Sequence, residues 1–157
     1  MKAVVSHFAA DLVWRGEPLT AVLVLYPTYP FRSADQLSDI LAAFTAQQPR
    51  VPLLGFKQPR THPYRCFELD AAGGIVGPVL AHDQDVMYRR QDYPDYYEST
   101  HWACVVPVSH MEDINSQLFT DDARAYRIPS DAVTVDIDTM EDLQFAHFIM
   151  ENRASGG

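Results

Sequence analysis

The chain has 157 residues, 47% of them hydrophobic and 11% aromatic, which suits one globular domain with a sizeable core. A formal net charge of −9 excludes nucleic acid and anionic membrane surfaces as general partners, because both attract basic proteins. Cys66 and Cys104 stand far apart without ligand spacing, which excludes a zinc site and a disulfide framework. No secretory signal or membrane-length apolar run is visible, so the expected compartment is the cytoplasm.

From Met1 the chain reads as an amphipathic helix with Val4, Val5, Phe8, Leu12 and Val13 on one side. Ala21-Val22-Leu23-Val24-Leu25 is a continuous apolar run of the kind a strand buried on both faces shows. It ends in Tyr26-Pro27-Thr28-Tyr29-Pro30-Phe31-Arg32-Ser33, where two prolines stop both strand and helix. Helical spacing resumes over 34–48 through Leu37, Ile40, Leu41 and Phe44. Arg50 to Phe56 is a predicted strand, interrupted early by Pro52. Tyr64 to Asp70, the turn Ala71-Ala72-Gly73-Gly74 and then Ile75-Val76 predict a hairpin. Trp102 to Val108 reads as a buried strand, Ser109 to Leu118 as a short helix, and Ala123 to Ile128 as a short extended segment. The alternation predicts an α/β class. No linker divides residues 1–157, so one domain is expected, with a hairpin region over about 57–100.

The richest chemistry lies in Val133-Thr134-Val135-Asp136-Ile137-Asp138-Thr139-Met140-Glu141-Asp142-Leu143. Apolar and acidic residues alternate from Val135 to Asp138, which predicts a short strand. Side chains two apart on a strand share a face, so the carboxylates of Asp136 and Asp138 would point together. A helix is predicted from Met140 to Asn152, with Leu143, Ala146, Phe148 and Ile149 inward. Two readings are open here. Paired hard oxygen donors suit Mg²⁺, which takes one or two carboxylates and leaves its other positions to water and phosphate. Alternatively, Asp138 caps the helix that follows, and Asp142 compensates its dipole.

Three segments together carry a resemblance. Residues 26–32 are similar to a Q-P-T-S-P-L-R turn, Arg90-Gln91-Asp92-Tyr93-Pro94-Asp95-Tyr96-Tyr97 to R-Q-x-L-P-x-x-Y, and residues 134–143 to S-V-D-I-D-T-E-x-D-L. In this order and spacing the chain resembles the acylneuraminate cytidylyltransferase family, the CMP-sugar synthetases for sialic-type acids. The resemblance implies a Rossmann-like nucleotidyltransferase sheet with a small hairpin extension that dimerises. It implies CTP and an acidic nonulosonic-type sugar as ligands, and Mg²⁺ held by Asp136 and Asp138 as the catalytic pair. Tyr26, Thr28, Arg32, Arg90 and Gln91 fall at substrate-contacting positions.

The family's opening loop, A-I-I-P-A-R-x-G-S-K, has no match, so an N-terminally truncated sheet is expected. The nucleotide-binding half would then come from a partner chain, or the chain works as a homodimer. Tyr26 replaces the family's glutamine, as in its pseudaminic-acid branch, Tyr29 replaces its small serine, and Ser99 stands where it has asparagine. Thr28 and Arg32 keep a structural alternative, in which the prolines fix the loop and Arg32 pairs with Asp35. The alternative function is a non-catalytic dimerising or sugar-acid-binding module.

Overall fold

The computed structural model of the chain describes residues 1–87 and 89–154. Helix α1 spans Lys2–Trp14, strand β1 Ala21–Val24, helix α2 Ala34–Thr45 and strand β2 Leu53–Lys57. Strands β3 (Phe67–Leu69), β4 (Ile75–Pro78), β5 (Glu98–Pro107) and β6 (Arg124–Arg127) follow, and helix α3 runs over Met140–Ala154. Single 3₁₀ turns lie at Pro63–Arg65, Arg90–Asp92 and Val108–His110. None of the described helices is long and apolar enough to cross a membrane.

Four strands form a mixed sheet in the order β1-β5-β2-β6, with β1 antiparallel to β5 and β2 parallel to β6. Strand β5 has a neighbour on either side, and its residues from Trp102 to Pro107 are buried. Alternation along the pleat sends Cys104 and Val106, with Leu54, toward Val5 and Ala9 of α1. The opposite face carries Ala103, Val105 and Leu53 against Ile40 and Phe44 of α2. Each fully buried side chain of this size contributes about 1.5–3 kcal/mol, so the two faces hold the unit together. Gly55 on β2 lies close to β5. A Cβ there would stand 3.0 Å from Ile128 Cδ1 and 3.3 Å from the Ala103 carbonyl.

Several expectations are corrected. On α1 the buried stripe is Val5 and Ala9, whereas Val4, Phe8 and Val13 are exposed, because the helix meets the sheet along one narrow line. Helix α3 buries Ala146 and leaves Leu143 and Phe148 exposed, again through a single narrow contact. Residues 109–118 lie in the 3₁₀ turn Val108–His110 and in further turns rather than a helix, and Leu118 takes a left-handed φ of 66°. Strand β2 begins after Pro52 instead of being interrupted by it: the Pro52 carbonyl still accepts Arg124 N–H at 2.8 Å. Residues 133–138 make no strand. Nothing extends a ladder beside them; they run next to the proline turn.

The chain divides into two compact units, one of Met1–Phe56 with the chain from Ser99 onward, the other Lys57–Glu98. The second unit contains the predicted hairpin: β3 and β4 pair antiparallel, with Phe67 opposite Pro78 and Leu69 opposite Ile75. Asp70 Oδ1 accepts Ala72 N–H and Gly74 N–H and so closes the turn, where Gly73 supplies a φ of +85°. His62 packs its ring against Tyr64, Tyr93 and Tyr96. No described residue of 57–98 is buried.

Candidate active site at the proline turn

The proline turn is fixed by backbone bonds. Tyr29 N–H donates to the Tyr26 carbonyl at 3.2 Å, which closes a four-residue turn after β1. Arg32 clamps this turn to the sheet: Nη2 donates to the Tyr26 carbonyl at 2.6 Å and Nη1 to the Trp102 carbonyl of β5 at 2.5 Å. Burial lowers the Arg32 pKa from its usual value, and Tyr29 opposes that shift. Asp35 is not the partner found. Beyond Arg32, Ser33 begins α2 with a capping box, its hydroxyl accepting Gln36 N–H while the Gln36 carboxamide accepts Ser33 N–H.

Residues 136–138 reach this turn from far along the chain. Ile137 N–H donates to the Thr28 carbonyl at 2.9 Å. Besides burial, Asp136 and Asp138 both act electrostatically on the hydroxyl of Tyr29 and raise its pKa. Tyr29 and Thr100 are buried, at 5% and 6% exposure. Thr100 Oγ1 donates to the Tyr29 oxygen at 2.8 Å and accepts Trp102 N–H at 3.2 Å. Burial pushes the Tyr29 pKa up to about 12; the Thr100 bond works against that rise, and Asp136 adds to it. Asp136 Oδ1 is buried with no hydrogen-bond partner.

The cap of α3 is made by Thr139 and Asp142. Asp142 Oδ2 accepts Thr139 N–H at 2.9 Å and Asp138 N–H at 3.3 Å, and Thr139 Oγ1 accepts Asp142 N–H at 3.2 Å. The Asp138 carboxylate takes no part in this cap and lies exposed at the helix N-terminus.

Tyr26, Thr28, Arg32, Asp136 and Asp138 therefore all belong to the first unit, around one turn. Tyr26 packs its ring against His101 at a 33° tilt, centroids 4.5 Å apart, and Thr28 contributes its carbonyl. Arg90 and Gln91 belong to the second unit, on an exposed 3₁₀ turn. There Arg90 lines a cleft of about 210 Å³ together with Gln58, His62, Tyr93, Asp95 and Tyr96. The sequence reading missed Thr100. It started β5 at Trp102, and nothing in Glu98-Ser99-Thr100-His101 marks that threonine as buried.

Asp136 and Asp138 offer hard oxygen donors, and one of those oxygens lacks any donor of its own, a combination that fits Mg²⁺. No cluster of three or more ligating side chains occurs among the described residues, so phosphate and water would complete such a site.

No family model matches the chain, and no curated protein matches it. Among solved structures it is similar to 4-diphosphocytidyl-2C-methyl-D-erythritol synthase from Anaerococcus prevotii DSM 20548, at a TM-score of 0.53 and 15% identity. The match covers 88% of this chain and 64% of that one. The likeness is one of fold. That likeness agrees with the α/β class and mixed sheet, and this chain spans less than two thirds of the matched structure's length.

Proposed function

We propose that this chain is a cytidylyltransferase of the CMP-sugar synthetase type, working on a nonulosonic-type 2-keto sugar acid. The observation that carries this reading is the meeting of the proline turn with Asp136-Ile137-Asp138 through the Thr28–Ile137 bond. The anomeric hydroxyl of the sugar would attack the α-phosphorus of CTP, forming a P–O bond as pyrophosphate leaves. Asp136 and Asp138 would hold Mg²⁺, which when bound neutralises phosphate charge and orients the reactants. The exposed Asp138 would act on the phosphates only through that ion, and the clamped turn would keep Tyr26 and Thr28 at the substrate wall. On this reading the sheet is a Rossmann-like one, a second copy or a partner chain supplies the rest of the nucleotide pocket, Arg90 and Gln91 meet the sugar acid, and the setting is the cytoplasm.

Calorimetric titration with CTP and Mg²⁺ tests the proposal, repeated with Asp136→Asn/Asp138→Asn. Metal-dependent heat that the double substitution abolishes is the expected result. Absence of heat at millimolar CTP from a folded chain would overturn it.

One observation favours a second reading, a dimerising or sugar-acid-binding module without catalysis: residues 57–98 bury none of their described side chains, as an element awaiting a partner surface would. That module would associate and bind sugar acid without binding CTP.

A further inference from the structure

Strand β1 lies at the edge of the sheet but has the composition of a central strand. It reads Ala21-Val22-Leu23-Val24; Val22 and Val24 pack against one core cluster, Ala21 and Leu23 against the other. All four residues stay half-buried, whereas β5 beside them is buried from Trp102 to Pro107. The opposite edge, β6, carries Arg124 and Arg127, charges of the kind that keep an exposed edge from pairing. Strand β1 has no charge, proline or bulge to do so.

The register shows which backbone groups lie on the open side. Val108 N–H donates to the Thr20 carbonyl at 3.0 Å, so these two residues form a hydrogen-bonded pair of the antiparallel ladder. Such pairs recur at every second residue, which turns the backbone of Val22 and Val24 toward Val106 and Cys104. The N–H and C=O groups of Ala21 and Leu23, and the N–H of Leu25, therefore point away from β5. No described residue hydrogen-bonds to them. Their spacing matches one kind of ligand, an extended backbone. The chain's net charge of −9 favours basic flanks on that strand. Because β1 runs into the proline turn, a strand on this edge ends beside Tyr26.

We infer that the open edge of β1 docks an extended, basic-flanked strand of a partner chain, which lengthens the sheet beside the proline turn. The inference rests on the proposed reading in one respect, that this partner is the chain completing the nucleotide pocket.

The test is amide hydrogen exchange of the whole chain, followed by NMR, with and without a short peptide of alternating valine and threonine that has lysines at both ends. In the chain alone, the Ala21, Leu23 and Leu25 amides should exchange about 100-fold faster than those of Val22 and Val24. The peptide should slow them to match. Ala21→Pro/Leu25→Pro removes two donors from the open side and leaves the β5 ladder whole, so peptide binding should weaken about 10-fold. A peptide of the same sequence and charge with every amide N-methylated should bind as weakly. Equal binding of the two peptides, or no slowing of these amides, overturns the inference. Slow exchange in the chain alone that quickens on dilution makes a second copy the occupant and also overturns it. Should the proline variant fail to fold, the peptide pair decides. The CTP titration uses no peptide, so its failure and a failure here are read separately.

Discussion

Thr28 and Ile137 are joined by a backbone hydrogen bond of 2.9 Å, although most of the chain separates them. The bond ties the loop after β1 to the segment before α3, and so brings the proline turn and the two aspartates into one place. Ile137→Pro deletes the donor. Loss of a bond that leaves a half-buried carbonyl unpaired costs about 1–3 kcal/mol. Urea unfolding should show a loss of that size for Ile137→Pro and little change for Ile137→Val; equal midpoints for all three chains would show that the bond does not hold the site.

Arg32 tests the same junction from the other side. Its planar guanidinium reaches two carbonyls at once, Tyr26 and Trp102, which the ammonium of lysine on a flexible stem cannot copy. Arg32→Lys should cost about 1–3 kcal/mol in unfolding free energy. A variant with full stability but weakened anion binding would instead make Arg32 a ligand contact.

Gly55 predicts a coupling between two positions. An added methyl meets Ile128 Cδ1 at 3.0 Å and the Ala103 carbonyl at 3.3 Å, so Gly55→Ala should destabilise by about 1–3 kcal/mol. Ile128→Val removes the nearer obstacle. The double variant should recover part of the loss, and strict additivity in denaturant titrations would contradict the packing described.

Alkaline conditions should weaken the fold through two buried groups. Burial pushes the Cys104 thiol from 9.0 to about 12, and burial first, then Asp136, raises Tyr29 from 10.0 to about 12. Groups whose folded values are raised add stability that is complete below the unfolded value and lost as pH climbs through the folded one. The urea midpoint should therefore fall between pH 9 and 12, less steeply in Cys104→Ala from pH 9 and in Tyr29→Phe from pH 10. Thiol reagents at neutral pH should modify the half-buried Cys66 and spare the buried Cys104 until the chain unfolds.

Self-association is the expected behaviour of the second unit. Leu69 and Ile75 face each other across the hairpin at 63% and 74% exposure, and a two-stranded hairpin is marginal alone in water. Sedimentation should give a dimer, and Leu69→Lys/Ile75→Lys a monomer with unchanged circular dichroism. A monomeric unsubstituted chain would remove the dimer from the proposal.

Where the pattern was local, the sequence was readable. The apolar run at Ala21, the Gly73-Gly74 turn and the helix from Met140 each report their own backbone, and each element formed. Which helix face is buried depends on what lies opposite, and that is why Phe8 and Phe148 were expected inside and lie outside. The same holds for the aspartates. Alternation at Val135-Asp136-Ile137-Asp138 has a strand's period, but a strand needs a neighbouring strand, and these residues have the proline turn instead. Asp136 and Asp138 were legible as candidates by composition; the buried Thr100–Tyr29 hydrogen bond spans 71 positions of sequence and left no local mark.

Strand β2 ends at Lys57 and β5 starts at Glu98, and these two residues form an ion pair of 3.3 Å between neighbouring strands. Everything between them is an excursion that departs and returns at one gate. Closing such an excursion costs only about 0.6 kcal/mol more for each doubling of its length. Residues 58–97 are thus the part of this chain that evolution can lengthen, shorten or exchange at little expense to the sheet, so new partners can be acquired without rebuilding the turn that carries the aspartates.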